Sequence, residues 1–210
     1  MLFNSIDFAI FLPIVFAFYW FIFSHNLKAQ NLFILIASYV FYGWWDWKFL
    51  SLIFLSSLAD YLVGIGLENQ QNTTKRKLLL SVSVVGNLSL LGFFKYYNFF
   101  VSSFADAFSF FGREINPGTL NIILPVGISF YTFQTLSYSI DVYRKKLEPT
   151  KDFIAFSAFV AFFPQLVAGP IERATNLLPQ FLKNRVFDIQ GYGRHATNSL
   201  GFVQKNCDSR

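Results

Sequence analysis

The segment PVGISFYTFQTLSYSIDVYRKK, Pro125 to Lys146, is apolar enough to enter lipid, yet it carries Ser129, Gln134, Ser137 and Asp141. On a helix, Gly127, Tyr131, Gln134, Tyr138 and Asp141 are spaced by four, three, four and three residues, which stacks them along one face. Polar groups in hydrocarbon need partners, so that face is expected to look inward, at protein or at a water-filled cavity. Two chemistries fit it. The stripe is either the lining of a substrate tunnel, or a row of Ser and Gln hydrogen bonds holding neighbouring helices together. Pro125 and Gly127 are expected to distort the start of this helix and free backbone groups to face a cavity.

A second candidate is FFPQLVAGPIERATNLLPQF, Phe162 to Phe181, with Gln165 and Arg173 as its polar contacts. Pro164 and the Gly169-Pro170 pair interrupt a regular helix, and Glu172 and Arg173 follow at once. The stretch is either a broken, re-entrant segment lining a pocket or an ordinary helix end at the interface. Asp60 lies inside another apolar run, where an unpaired charge costs about 3 kcal/mol. It reads as a proton or substrate contact, or as a bond to a neighbouring helix. Lys95, between two apolar runs, is expected to snorkel to the interface. His25 has no second ligand nearby and reads as a surface histidine, so no metal site is assigned. No Gly-rich phosphate loop, CxxC, HExxH or GxSxG pattern is present.

These residues need helices to hold them. Of 210 residues, 54% are hydrophobic, 20% aromatic and only 14% charged, against about 25% charged in a soluble domain. The fold class expected is all-α, a polytopic transmembrane helical protein. A helix crosses the hydrocarbon with about 20 mostly apolar residues. Phe8–Phe23, Leu32–Trp45, Phe49–Leu67, Leu78–Phe94, Tyr96–Phe111, Leu120–Ile140 and Phe153–Ile171 approach this, giving six or seven transmembrane or re-entrant segments. YGWWDW, Tyr42 to Trp47, reads as an interfacial aromatic belt.

The first run follows Asp7 without a preceding Lys or Arg, and no small-residue cleavage pattern follows, so it reads as a retained helix. Cys207 is the only cysteine, which excludes an internal disulfide. The net charge of +5 sits in short clusters, TTKRK and YRKK, between apolar runs. Lipid headgroups and the positive-inside effect explain that better than nucleic acid. If all seven segments span, the two basic loops fall on opposite faces. If Tyr96–Phe111 does not, they share one, expected to be cytoplasmic.

LPVGISFYTFQTLSYSIDVYR, Leu124 to Arg144, followed by FSAFVAFFPQLVAGPIERATNLLPQF, Phe156 to Phe181, resembles the membrane-bound O-acyltransferase family. The match is to its bacterial branch, typified by the membrane subunit of alginate O-acetyltransferase. MLFNSIDFAIFLPIVFAFYW, NLFILIASYVFYGWWDWKFL and FFKYYNFF look like the same branch, and the resemblance runs from Met1 to about Asp188. It implies a multi-helix enzyme of the bacterial inner membrane that moves an acyl group, commonly acetyl, to a hydroxyl on an exported polysaccharide such as alginate. Acetyl-CoA or another acyl thioester would be the donor, with no resident cofactor. Membrane lipid and periplasmic proteins that finish polymer acetylation would be partners. A tunnel histidine would act as general base or relay. Ser129, Tyr131, Gln134, Tyr138, Asp141, Gln165 and Arg173 would then belong to the tunnel wall or its support.

The family is longer, and its histidine lies in the part beyond this sequence. His25 and His195 stand in no family motif, so no catalytic residue is assigned. Residues 1–188 are expected to form the N-terminal part of the acyltransferase domain. From Gly191 the tail GYGRHATNSLGFVQKNCDSR abandons the apolar pattern. Permitted codons for it, read from the second base, give AMEDMRQILWGLFKKIVIA, which resembles the family's next segment. A single-base frame slip near Gln190 is therefore expected. The competing expectations are a transporter or channel using Asp60, Gln134 and Asp141, for which no internal repeat is visible, and an inactive membrane remnant.

Overall fold

In the computed structural model, residues 5–23, 25–44, 47–110, 127–168 and 172–185 are described, with backbone alone for 104–110 and 166–168. Among them the regular structure is helical and no strand occurs, as the apolar runs predict. Pro125, Gly169-Pro170, His195 and the proposed frame-shifted tail lie outside the described residues.

Local chemistry sets most helix starts. α1 (Ile6–Ala17) begins where the Ser5 hydroxyl accepts the Phe8 N–H, and it widens into a π-helical turn at Phe18–Ile22. α2 (Leu27–Gly43) is capped by Asn26, whose side-chain oxygen accepts from Lys28 and Ala29. α3 (Lys48–Asn69) follows, with Trp44 and Trp47 ahead of it exposed. α4 (Thr73–Phe110) starts under the Asn72 side chain. α5 (Ile128–Tyr143) begins after Gly127, whose φ of 81° favours glycine. α6 (Phe153–Val160), α7 (Phe163–Ala168) and α8 (Ala174–Leu182) complete the chain described, with Asp152 capping α6.

α3 and α4 are each long and apolar enough to cross a membrane. α1 to α4 alternate in direction through short turns, so the α1–α2 and α3–α4 turns share one end of the bundle, called the near end below. Leu78–Phe94 and Tyr96–Phe111 do not form separate segments. They run together as α4, because no proline breaks the stretch and Lys95 stays exposed over the Tyr96 ring, 5.6 Å from its centroid. At 38 residues, α4 rises about 57 Å, well beyond the roughly 30 Å of hydrocarbon.

α5 returns to the near end. There Arg76, in the first turn of α4, donates to the carbonyls of Val142 and Tyr143 at 3.5 and 2.9 Å, and also to those of Leu67 and Gln70. One guanidinium thus satisfies carbonyls that two helix ends leave unpaired. TTKRK and YRKK consequently share a face. In a Cys207→Ser background, single cysteines at Asn72 and Lys146 should react with an impermeant maleimide from the same side of sealed vesicles. Labelling from opposite sides would contradict this topology.

The expected Phe153–Ile171 span is instead broken after Val160. The Lys151 carbonyl accepts from the Tyr61 hydroxyl at 2.8 Å, and Lys151 pairs with Glu68 at 3.6 Å, which places the start of α6 near the C-terminus of α3. Further along, the Phe163 N–H donates to Ser38 at 3.3 Å, and the Ala174 N–H to Ser137 at 3.3 Å. Asn31 then donates to the Phe181 carbonyl at 2.7 Å, back near the first turn of α2. The start of α6 and the end of α8 therefore both lie towards the near end, with Phe163 further along the bundle beside Ser38. Pro164 falls in the first turn of α7, where its missing N–H breaks no helical bond. Phe156, Phe159 and Phe163 bury this segment against the long helices, with Phe156 4.6 Å from the Tyr138 ring.

Candidate functional site in the buried polar seam

α5 packs against α3, α4, α6 and α8, so its polar stripe meets protein rather than lipid. On one flank, three helices each contribute a polar pair four residues apart: Ser56 and Asp60 from α3, Ser83 and Asn87 from α4, Thr135 and Ser139 from α5. Asp60 is only 1% exposed. Asn87 and Ser139 donate to its carboxylate at 2.7 and 2.9 Å, and Ser83 donates to the same carboxylate. The Asn87 side-chain oxygen accepts from Ser56 and Thr135, both at 3.2 Å. No cation pairs with Asp60 among the described residues. Three neutral donors compensate its burial instead, which is how a carboxylate is tolerated in a dry bundle. Of its two sequence alternatives, bonding to neighbouring helices is what the structure shows, and a cleft of about 240 Å³ between α3 and α4 reaches these residues.

On the other flank Gln134 donates to the Gln165 side chain at 2.9 Å, joining α5 to α7. Tyr131, Gln134 and Tyr138 are almost wholly buried, and Asp141 is buried nearer the helix end. Ser129 is half-buried in the first turn of α5, and Arg173 is exposed ahead of α8, so these two stand apart from the Gln134–Gln165 contact. The side-chain oxygens of Tyr131, Thr132 and Gln134 are buried without a hydrogen-bond partner among the described residues. Each such orphan costs about 1–3 kcal/mol. Three such oxygens fall within four residues of α5.

Ser56, Ser83, Asn87, Thr135 and Ser139 were missed by residue-by-residue reading. The signal was present as paired polar residues at i and i+4 inside three separate apolar runs. Among the described residues no group of three His, Cys, Asp or Glu is placed to hold a metal ion.

Compared with known proteins, the chain is 41% identical over 98% of its length to the probable alginate O-acetylase of Pseudomonas putida, and 40% identical over 98% to that of Pseudomonas aeruginosa. The chain is a homologue of the alginate O-acetylases. It spans about two-fifths of their length, 42% and 39% of the two relatives. It is also 33% identical, over 86% of its length, to the peptidoglycan O-acetyltransferase of Helicobacter pylori, covering 38% of that protein. No family model matches the chain, and no solved structure matches it significantly. Kinship with the alginate O-acetylases bears out the resemblance carried by the two motifs around α5 and α6–α8.

Proposed function

We propose that this chain forms the N-terminal portion of a membrane O-acetyltransferase that passes acetyl from a thioester donor to hydroxyls of an exported polysaccharide such as alginate. The observation that carries this is the match, over nearly the whole chain, to proteins named alginate O-acetylase and, at lower identity, peptidoglycan O-acetyltransferase. In such a transfer a base takes the acceptor hydroxyl's proton, the oxygen attacks the thioester carbonyl, and the carbon–sulfur bond breaks to release the thiol. The base would be a histidine of the rest of the enzyme. Acetyl-CoA or another acyl thioester would supply the acetyl group. Tyr131, Gln134, Tyr138, Asp141 and Gln165 would form or support the tunnel wall, with Ser129 and Arg173 at its approaches. The orphaned oxygens of Tyr131, Thr132 and Gln134 support that role, because a substrate or a further helix would satisfy them.

The protein would be a multi-pass protein of the bacterial inner membrane. Lys28, Arg76 and Lys145 cluster at the near end, which the positive-inside effect turns towards the cytoplasm. Periplasmic proteins would complete polymer acetylation. The test is to co-express the chain with the C-terminal three-fifths of the Pseudomonas aeruginosa relative and supply labelled acetyl-CoA and alginate to the membranes. Paired halves should transfer label and each half alone should not. Halves that co-purify in membranes yet transfer nothing would overturn the proposal.

A further inference from the structure

Arg185 follows α8 and is half-buried between the rings of Phe181 and Tyr19, 4.8 and 5.6 Å from their centroids. Its Nε donates to the Gln180 carbonyl at 2.9 Å, one Nη donates to the Asn31 side-chain oxygen at 3.0 Å, and the other donates to the Tyr19 hydroxyl. All three partners are neutral, and no carboxylate pairs with Arg185 among the described residues. Three of the five guanidinium N–H groups are thus used and two remain. Bonding to the end of α8 accounts for one donor only. The aromatic pair and Asn31 fix the rest of the plane, so the charge is held in place rather than free to swing into water.

Arg185, Gln180 and Tyr19 face a cavity of about 140 Å³, whose wall also includes Phe162 and Ile34. A second cavity, of about 200 Å³, shares Tyr19, Ile34 and Phe162 with it. Apart from Tyr19 its lining is apolar, and it reaches Leu12 and Phe16, which are 43% and 49% exposed on the outer side of α1. One fixed cation therefore heads a slot that opens onto the exposed, apolar outer side of α1. Tyr19 lies in the π-helical turn, four residues from Phe23, so it is less than about 6 Å along the axis from the near end of α1. That depth suits a lipid headgroup.

We propose that this slot binds an anionic phospholipid, its phosphate accepting from the two remaining Arg185 N–H groups and from the Tyr19 hydroxyl, and one acyl chain lying along Leu12, Phe16 and Phe162. The lipid would tie α1, α2 and α8 together and fix one end of the α6–α8 segment. The inference is independent of the acetyltransferase reading.

The experiment uses the full chain in neutral detergent, with retention of phosphatidylglycerol and phosphatidylcholine compared by native mass spectrometry. Phosphatidylglycerol is expected to be retained about tenfold better, because phosphatidylcholine offers the same phosphate oxygens but would bring its choline cation up against the Arg185 guanidinium, a like-charge repulsion. Arg185→Gln should abolish that preference. Because this variant also loses contacts between helices, Leu12→Trp serves as the second arm: it fills the apolar slot at an exposed position and should weaken phosphatidylglycerol retention with the melting temperature unchanged. Equal retention of the two lipids, or a preference that survives both substitutions, would overturn the proposal. Displacement of phosphatidylglycerol by millimolar inorganic phosphate would also overturn it, since the site would then read phosphate without an acyl chain.

Discussion

Asp60→Ala is expected to lower the stability of the detergent-solubilised chain by several kcal/mol, on the order of 3 or more, seen as a large drop in the melting temperature of the monodisperse peak. The carboxylate receives hydrogen bonds from Ser83, Asn87 and Ser139 on two other helices. Alanine removes every acceptor at once and leaves a buried amide and two buried hydroxyls without that partner. Hydroxyls can turn to other acceptors, and Ser83 and Ser139 will recover part of the loss. The Asn87 amide is more constrained, although it keeps its second donation, to the Ser83 carbonyl at 3.0 Å. Asp60→Asn should cost much less, because an amide oxygen still accepts and both serine hydroxyls can accept from the new NH₂. The ordering of the two variants separates a hydrogen-bonded hub from a simple need for volume. If Ala and Asn melted at the same temperature as the parent, Asp60 would not be what joins α3 to α4 and α5.

How far this arrangement was legible in sequence depended on whether the signal was local. The α5 stripe from Gly127 to Asp141 follows from helical spacing alone, and its inward orientation follows from the cost of polar groups in lipid. Asp60 announced itself as a charge in an apolar run. Its partners did not, because Ser56, Ser83, Asn87, Thr135 and Ser139 are individually ordinary in a membrane helix, and only the packing of three helices turns them into one network. The seam between Tyr96 and the preceding run was misjudged for a similar reason. A lone Lys95 resembles an interfacial boundary, yet a long side chain on an exposed helix face leaves the backbone free to continue. Pro164 and the Gly169-Pro170 pair predict an interruption, but not that it falls after Val160, inside the expected Phe153–Ile171 span. That was decided by long-range contacts, Ser38 to Phe163 and Asn31 to Phe181, that no local pattern encodes.

Gly64→Ala should destabilise the chain by about 1–3 kcal/mol, although alanine is the better helix former by about 1 kcal/mol. A methyl group at Gly64 would meet the Tyr138 hydroxyl and lie 2.8 and 2.9 Å from its Cε1 and Cζ, too close for the aromatic ring to yield while Phe156 backs it at 4.6 Å between centroids. The two helices would have to separate. Tyr138 adjoins Ser139 on α5, and Gly64 lies one turn beyond Asp60 on α3, so the same separation would stretch the Ser139–Asp60 hydrogen bond of 2.9 Å. Close packing of α3 on α5 and the Asp60 hub are therefore one device, and their losses should not add independently. Combining Gly64→Ala with Tyr138→Leu should recover part of the loss, because the smaller side chain vacates the contact. Gly92→Ala is the control, as a Cβ there meets nothing within 4 Å and should be neutral or slightly stabilising. Equal melting temperatures for the Gly64 and Gly92 variants would mean that α3 and α5 do not approach this closely, and the hydrogen bonds from α5 to Asp60 would lose their geometric basis.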